Sequence, residues 1–156
     1  EYVEEKRREK THFDFWIKTT DDKEIFFEIK YTENGFSNKT ASVTDNWKSV
    51  YEPLCTDSLY LKDIDNDTFL NKKFQLYRNI VRARANSYVV FLPMKGNTAT
   101  YKDLIEYENN KDYEPIKILY WERIIADILA DKDINEELKA YMNMFKVKYL
   151  DIGIDQ

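Results

Sequence analysis

Residues 12–33 read H-F-D-F-W-I-K-T-T-D-D-K-E-I-F-F-E-I-K-Y-T-E, and the fold of the chain turns on them. Phe13, Phe15 and Ile17 alternate with His12, Asp14 and Trp16. Further on, Ile25, Phe27 and Ile29 alternate with Phe26, Glu28 and Lys30. Aromatic and β-branched side chains at period two mark strands. Thr19-Thr20-Asp21-Asp22-Lys23 between them is turn material, because its short polar side chains hydrogen-bond nearby backbone. So short a connection makes the two strands antiparallel neighbours. Period two sends Asp14 to one face of its strand, with Phe13 and Phe15 on the other. Tight pairing sets Asp14 opposite Glu28, and Lys30, two residues on, shares the Glu28 face.

Two carboxylates side by side repel unless a cation lies between them. A hard divalent ion with oxygen ligands, such as Mg²⁺, suits them. An ammonium next to that ion, from Lys30, can hold an attacking water or a scissile phosphate. The competing reading is plainer: the three residues form the solvent face of an amphipathic hairpin with cross-strand ion pairs.

Asp14 followed by Glu28-Ile29-Lys30 on the next strand resembles the PD-(D/E)xK nuclease superfamily, the restriction-endonuclease-like fold. The likeness extends to the apolar run before the glutamate, Glu24-Ile25-Phe26-Phe27, and to Tyr31-Thr32-Glu33 after the lysine. The proline that the family carries before the aspartate is replaced by Phe13. The resemblance implies that Asp14, Glu28 and the Ile29 carbonyl hold Mg²⁺, with Mn²⁺ as a substitute, and that Lys30 serves the hydrolytic step. It also implies a helix ahead of the sheet that donates a further glutamate, for which Glu4 or Glu5 is the candidate. By charge pattern alone, residues 1–10 read as a solvated run. Glu33, just past the sheet, is either a neighbour of the site or a solvent-facing strand end.

Between residues 68 and 86, Leu70, Phe74, Tyr77 and Val81 form the apolar stripe of an amphipathic helix, with Asp67 or Thr68 as its cap. Gln75, Arg78, Asn79 and Arg82 fall on one polar face. F-Q-L-Y-R-N-I resembles a Q-x-x-R-N signature on the helix after the E-x-K strand in some restriction-endonuclease-like proteins. That resemblance implies that Gln75 serves the catalytic site, while Arg78, Asn79 and Arg82 meet the substrate. The chemistry is apt: an arginine fork binds phosphate bidentately, and an amide can position a carboxylate or a water. A solvated basic helix face is the alternative.

Elsewhere the pattern speaks mainly of structure. Asn34-Gly35 opens a loop through residue 46, and Thr44 or Asp45 caps a short helix with Trp47, Val50 and Tyr51, ended by Pro53. Asp63, Asp65 and Asp67 alternate, but an EF-hand is rejected because the loop lacks its glycine and its final acid. Residues 87–93 are a continuous apolar run, hence a buried strand parallel to its neighbour. A helix from Thr100 to Asn109, a strand from Pro115 to Trp121, and helices at 122–130 and 135–149 follow. Leu138, Tyr141, Met142 and Phe145 read as core.

The expectation is one domain of α/β class, a restriction-endonuclease-like core with a central mixed sheet flanked by helices. The core spans about residues 11–93, and a C-terminal extension runs from 94 to 156. With 43 % hydrophobic residues among 156, the chain can bury a proper core. One cysteine, Cys55, allows no internal disulfide, and one histidine excludes a multi-histidine zinc centre. No export signal or membrane span is read, so a cytoplasmic protein is expected; the chain starts at Glu1 without Met, which leaves room for residues upstream. Net charge is −5, against a bulk nucleic-acid coat, yet residues 68–85 hold Lys72, Lys73, Arg78, Arg82 and Arg84 and no acid. The resulting expectation is a Mg²⁺-dependent DNA endonuclease of restriction type, with RNA not separable from DNA as substrate. A homodimer is expected only by analogy with enzymes that cut both strands. The alternative is a non-catalytic nuclease-fold module of a defence or recombination assembly.

Overall fold

The computed structural model describes residues 12–36, 47–108 and 110–150. Four strands form one mixed sheet in the order β1-β2-β3-β4. β1 is Phe15–Lys18, β2 Glu24–Lys30, β3 Ser87–Pro93 and β4 Ile116–Ile118. β1 and β2 are antiparallel, with Phe15 opposite Phe27; β2, β3 and β4 run parallel. Between β2 and β3 lie a π-helical turn at Trp47–Tyr51 and three short helices: α1 (Glu52–Thr56), α2 (Asn66–Asn71) and α3 (Phe74–Ile80). α4 (Thr98–Leu104) bridges β3 and β4, and α5 (Trp121–Ala130) and α6 (Glu136–Tyr149) close the described chain. The α/β architecture with a helix-flanked mixed sheet is therefore present.

The sheet's two faces differ. Phe26, Glu28 and Lys30 are buried, and the parallel register sets Val89, Phe91 and Pro93 beside them. That face carries the main core, where Phe26, Val89, Phe91 and Ile116 join Leu54, Phe69, Phe74, Leu76 and Ile80 of the first three helices. Completely buried Leu76 and Ile80 each contribute about 1.5–3 kcal/mol. On the opposite face Val90 and Leu92 are buried, while Phe15 and Ile17 of the edge strand are exposed.

Several expected boundaries move. The helix read as continuous over 68–86 is two helices, because the backbone leaves helical geometry at Lys73 (φ −142°, ψ 53°). The break lets Phe69 and Leu70 on one segment and Phe74, Leu76 and Ile80 on the other all reach the core. The α2 cap is Asp65, which accepts from the Thr68 N–H at 2.7 Å. Pro53 does not end a helix; it sits in the first turn of α1, where its missing N–H costs nothing. α4 is capped by the Asn97 side chain, which accepts from the Thr100 N–H. β4 stops at Ile118, and Trp121 already belongs to α5. The α6 residues expected as core are not: none is fully buried, and Leu138 and Tyr141 are exposed. The expectations for residues 1–10, for the 37–46 part of the loop with its Thr44 or Asp45 cap, and for Asn109 lie outside the described residues.

Candidate active site

Glu28 and Lys30 point into the core face of the sheet, only 4 % and 5 % exposed. Lys30 Nζ lies 3.2 Å from Glu28 Oε1 and donates to Gln75 Oε1 at 3.0 Å. Gln75 Nε2 donates to the same Glu28 Oε1 at 2.8 Å. One amide on α3 thus ties the two charges of β2 into a closed triangle. It can do so because an amide carries both a donor and an acceptor. The Lys30 ammonium also lies 5.4 Å from the centre of the Phe36 ring, over its face. Burial pushes the Glu28 carboxyl above its ordinary range; Lys30 draws it down and the Asp14 charge pushes it up again.

Asp14 stands at the entrance of β1, just before its first residue, and is exposed. Its N–H donates to the Phe27 carbonyl at 3.0 Å, although Phe15 is the register partner of Phe27. Two residues meeting one is the pattern of a β-bulge, a device that re-aims side chains. The bulge explains a correction to the period-two reading. Phe13 is not on the Phe15 face; it is buried and packs on Phe26 at 4.9 Å, on the Glu28 side, while Phe15 is 62 % exposed. Asp14 Oδ2 accepts from the Ile29 N–H at 2.7 Å. The Lys30 carbonyl accepts from Met94 N–H, toward β3. Backbone groups alternate sides along a strand, so the Ile29 carbonyl shares the Asp14 side of β2.

The helix contributes unevenly. Gln75 and Asn79, four apart, face the Glu28–Lys30 pair, and Asn79 is completely buried instead of lying on an outer polar face. Arg78 is half-buried, its guanidinium 5.6 Å from the Phe74 ring centre. Arg82 lies past the end of α3 and is also half-buried. Lys73, part of the basic segment, is engaged by Asp103 at 3.3 Å.

Three contributors escaped sequence reading. Phe36 under Lys30 and Asp103, which accepts from the Phe36 N–H at 3.2 Å, come from a loop and from α4 with no motif to mark them. Asn97, a turn residue, donates to the Glu33 carbonyl at 2.7 Å and steadies the chain just past Lys30. An open cavity of about 660 Å³ lies there, lined by Tyr31, Glu33, Asn97, Glu122 and Tyr149. It adjoins the end of β2 but is not lined by Glu28 or Lys30.

Among the described residues there is no group of three or more His, Cys, Asp or Glu side chains fit to hold a metal. Asp14 and Glu28 make a pair, and a pair with a backbone carbonyl is the donor chemistry Mg²⁺ accepts, since it keeps several of its waters. The Asp14 charge raises the proton affinity of Glu28, and a cation between the two would relieve that repulsion.

The family model described as Restriction Endonuclease associating with ARP matches residues 1–150. The chain belongs to this family. No curated protein and no solved structure matches it. Membership in the REase-ARP family makes the chain restriction-endonuclease-related, and the helix-flanked mixed sheet agrees with such a fold. No helix among the described residues is long and apolar enough to cross a membrane.

Proposed function

We propose that the chain is a metal-dependent endodeoxyribonuclease of PD-(D/E)xK type. The observation that carries this reading is the buried Glu28–Lys30 pair tied to Gln75, with Asp14 at the adjoining strand entrance. A buried ion pair is a poor route to stability, because desolvation offsets most of the attraction. Its presence on a sheet that has apolar residues to spare favours a chemical role. Asp14, Glu28 and the Ile29 carbonyl would hold Mg²⁺, or Mn²⁺ in its place, which supplies a polarised phosphoryl oxygen and a water of lowered pKa.

The protein's own residues supply orientation. Lys30 directs two of its three N–H donors to Glu28 and Gln75 and offers the third to a water or a phosphate oxygen. Gln75 keeps that ammonium and the Glu28 carboxylate in register through one amide. Arg78 and Arg82 are the candidates for the phosphate backbone, where a planar guanidinium binds two oxygens at once. DNA is the proposed substrate, with RNA as the other nucleic acid to test. The family's name also favours association with a second protein, and a homodimer is a separate proposal by analogy.

The test is incubation of supercoiled plasmid, and separately of single-stranded RNA, with Mg²⁺, Mn²⁺ or EDTA. Mg²⁺- or Mn²⁺-dependent nicking of the plasmid that disappears in Lys30→Ala is expected. Nicking that persists in EDTA, or in the Lys30→Ala protein, would contradict the proposal.

A further inference from the structure

Asn79 is completely buried, and neither its amide nitrogen nor its amide oxygen makes a hydrogen bond of good geometry among the described residues, although the side chain lies within reach of the Glu28 carboxylate. It sits one helical turn after Gln75 on the α3 face turned to Glu28, close enough to favour the charged form of that carboxylate. Leaving a buried polar group unpaired is costly, and native proteins keep few of them. An apolar side chain of similar volume, such as leucine, would serve the packing better. The contacts of Gln75 and Lys30 with Glu28 both fall on Oε1. The Asn79 amide lies beside the same carboxylate without closing a bond of good geometry.

We infer that Asn79 is a positioning residue that takes hold of the Glu28 carboxylate when a divalent cation binds, keeping the oxygens aimed at the ion. The inference rests on the proposed reading of Glu28 as a metal ligand. Its physical basis is that ligating carboxylates are themselves hydrogen-bonded, and that loss of such support typically weakens metal binding by 10–100-fold. An amide held beside the carboxylate without a well-formed bond is placed to close one as Glu28 turns its oxygens to an ion.

Mn²⁺ binding, followed by the loss of the free-ion electron paramagnetic resonance signal, tests this in the wild-type chain, Asn79→Leu and Asn79→Ala. Thermal unfolding of each metal-free protein is recorded alongside. Asn79→Leu is expected to bind Mn²⁺ at least tenfold more weakly while melting at the wild-type temperature or above. Asn79→Ala should weaken binding similarly. Wild-type affinity in both variants would overturn the inference and leave Glu28 as a ligand. Loss of folding in both would also overturn it, by making Asn79 a packing residue. Absence of Mn²⁺ binding in the wild type would remove the metal site itself, and this inference with it.

Discussion

Glu28 and Lys30 lie side by side where water barely reaches, and each is tolerable only because of the other. Removing one partner strands a buried charge, which typically costs about 3–5 kcal/mol; replacing both with apolar residues is often neutral. Urea unfolding of Lys30→Met and Glu28→Leu should each show a loss of that order, while the double variant recovers most of it. Equal and additive losses would mean that the pair is not coupled. Cys55 provides a separate check on burial. Burial pushes its thiol up to about 12, so at pH 8 the folded chain holds it protonated. A thiol-specific disulfide reagent should react with Cys55 only after denaturant is added. Asp14 shows how far residue-level reading reaches. Its place beside the first strand and its proximity to the Glu28 charge were legible in the alternation. The bulge that turns Phe13 inward was not, because one extra residue in a ladder leaves no mark on composition.

The elements differ in how openly they declare themselves. β2 and β3 were readable because a strand buried among others needs an apolar run, and Phe26-Phe27 and Val89-Val90-Phe91-Leu92 supply it. The split between α2 and α3 was hidden, since no glycine or proline marks Lys72-Lys73; tertiary packing of the rings of Phe69 and Phe74 overrides local propensity. α6 misled for a related reason. Phe145 and Tyr149 meet Tyr31 at 5.7 Å and 5.8 Å in a ring cluster outside the core, while Leu138 and Tyr141 are exposed. Asn97 joins two elements: it caps α4 and also donates to the Tyr31 and Glu33 carbonyls beyond β2. Asn97→Ala should cost about 1–2 kcal/mol, near the upper end for a cap. Differential scanning calorimetry should show the melting temperature falling by roughly 2–4 °C for each kcal/mol. An unchanged melting temperature would show that these contacts are dispensable.

Across the whole molecule, charge sets the terms of any nucleic-acid binding. A net charge of −5 leaves no broad basic coat, and Lys73 is already paired with Asp103. Half-buried Arg78 and Arg82 are the phosphate contacts proposed near the site. Two such contacts give a log–log salt slope of about −2 for duplex DNA. Binding measured with Ca²⁺ in place of Mg²⁺ between low and moderate salt should follow that shallow line; a slope of −5 or steeper would reveal a basic face that the account omits. The global architecture was largely legible, because strand, strand, helix and buried strand in that order permit few sheets. A second protein that the family description pairs with such chains is not legible in any motif of the chain.

Rate measurements on paired variants test the proposed metal site most directly. Single-turnover plasmid cleavage in Mg²⁺ should be compared for the wild type, Asp14→Asn, Glu28→Gln and the double variant. If both carboxylates serve one ion, each single change abolishes most of the activity and the double change costs no more than either alone. Cleavage that survives either substitution, or losses that multiply in the double variant, would contradict a shared ion between Asp14 and Glu28.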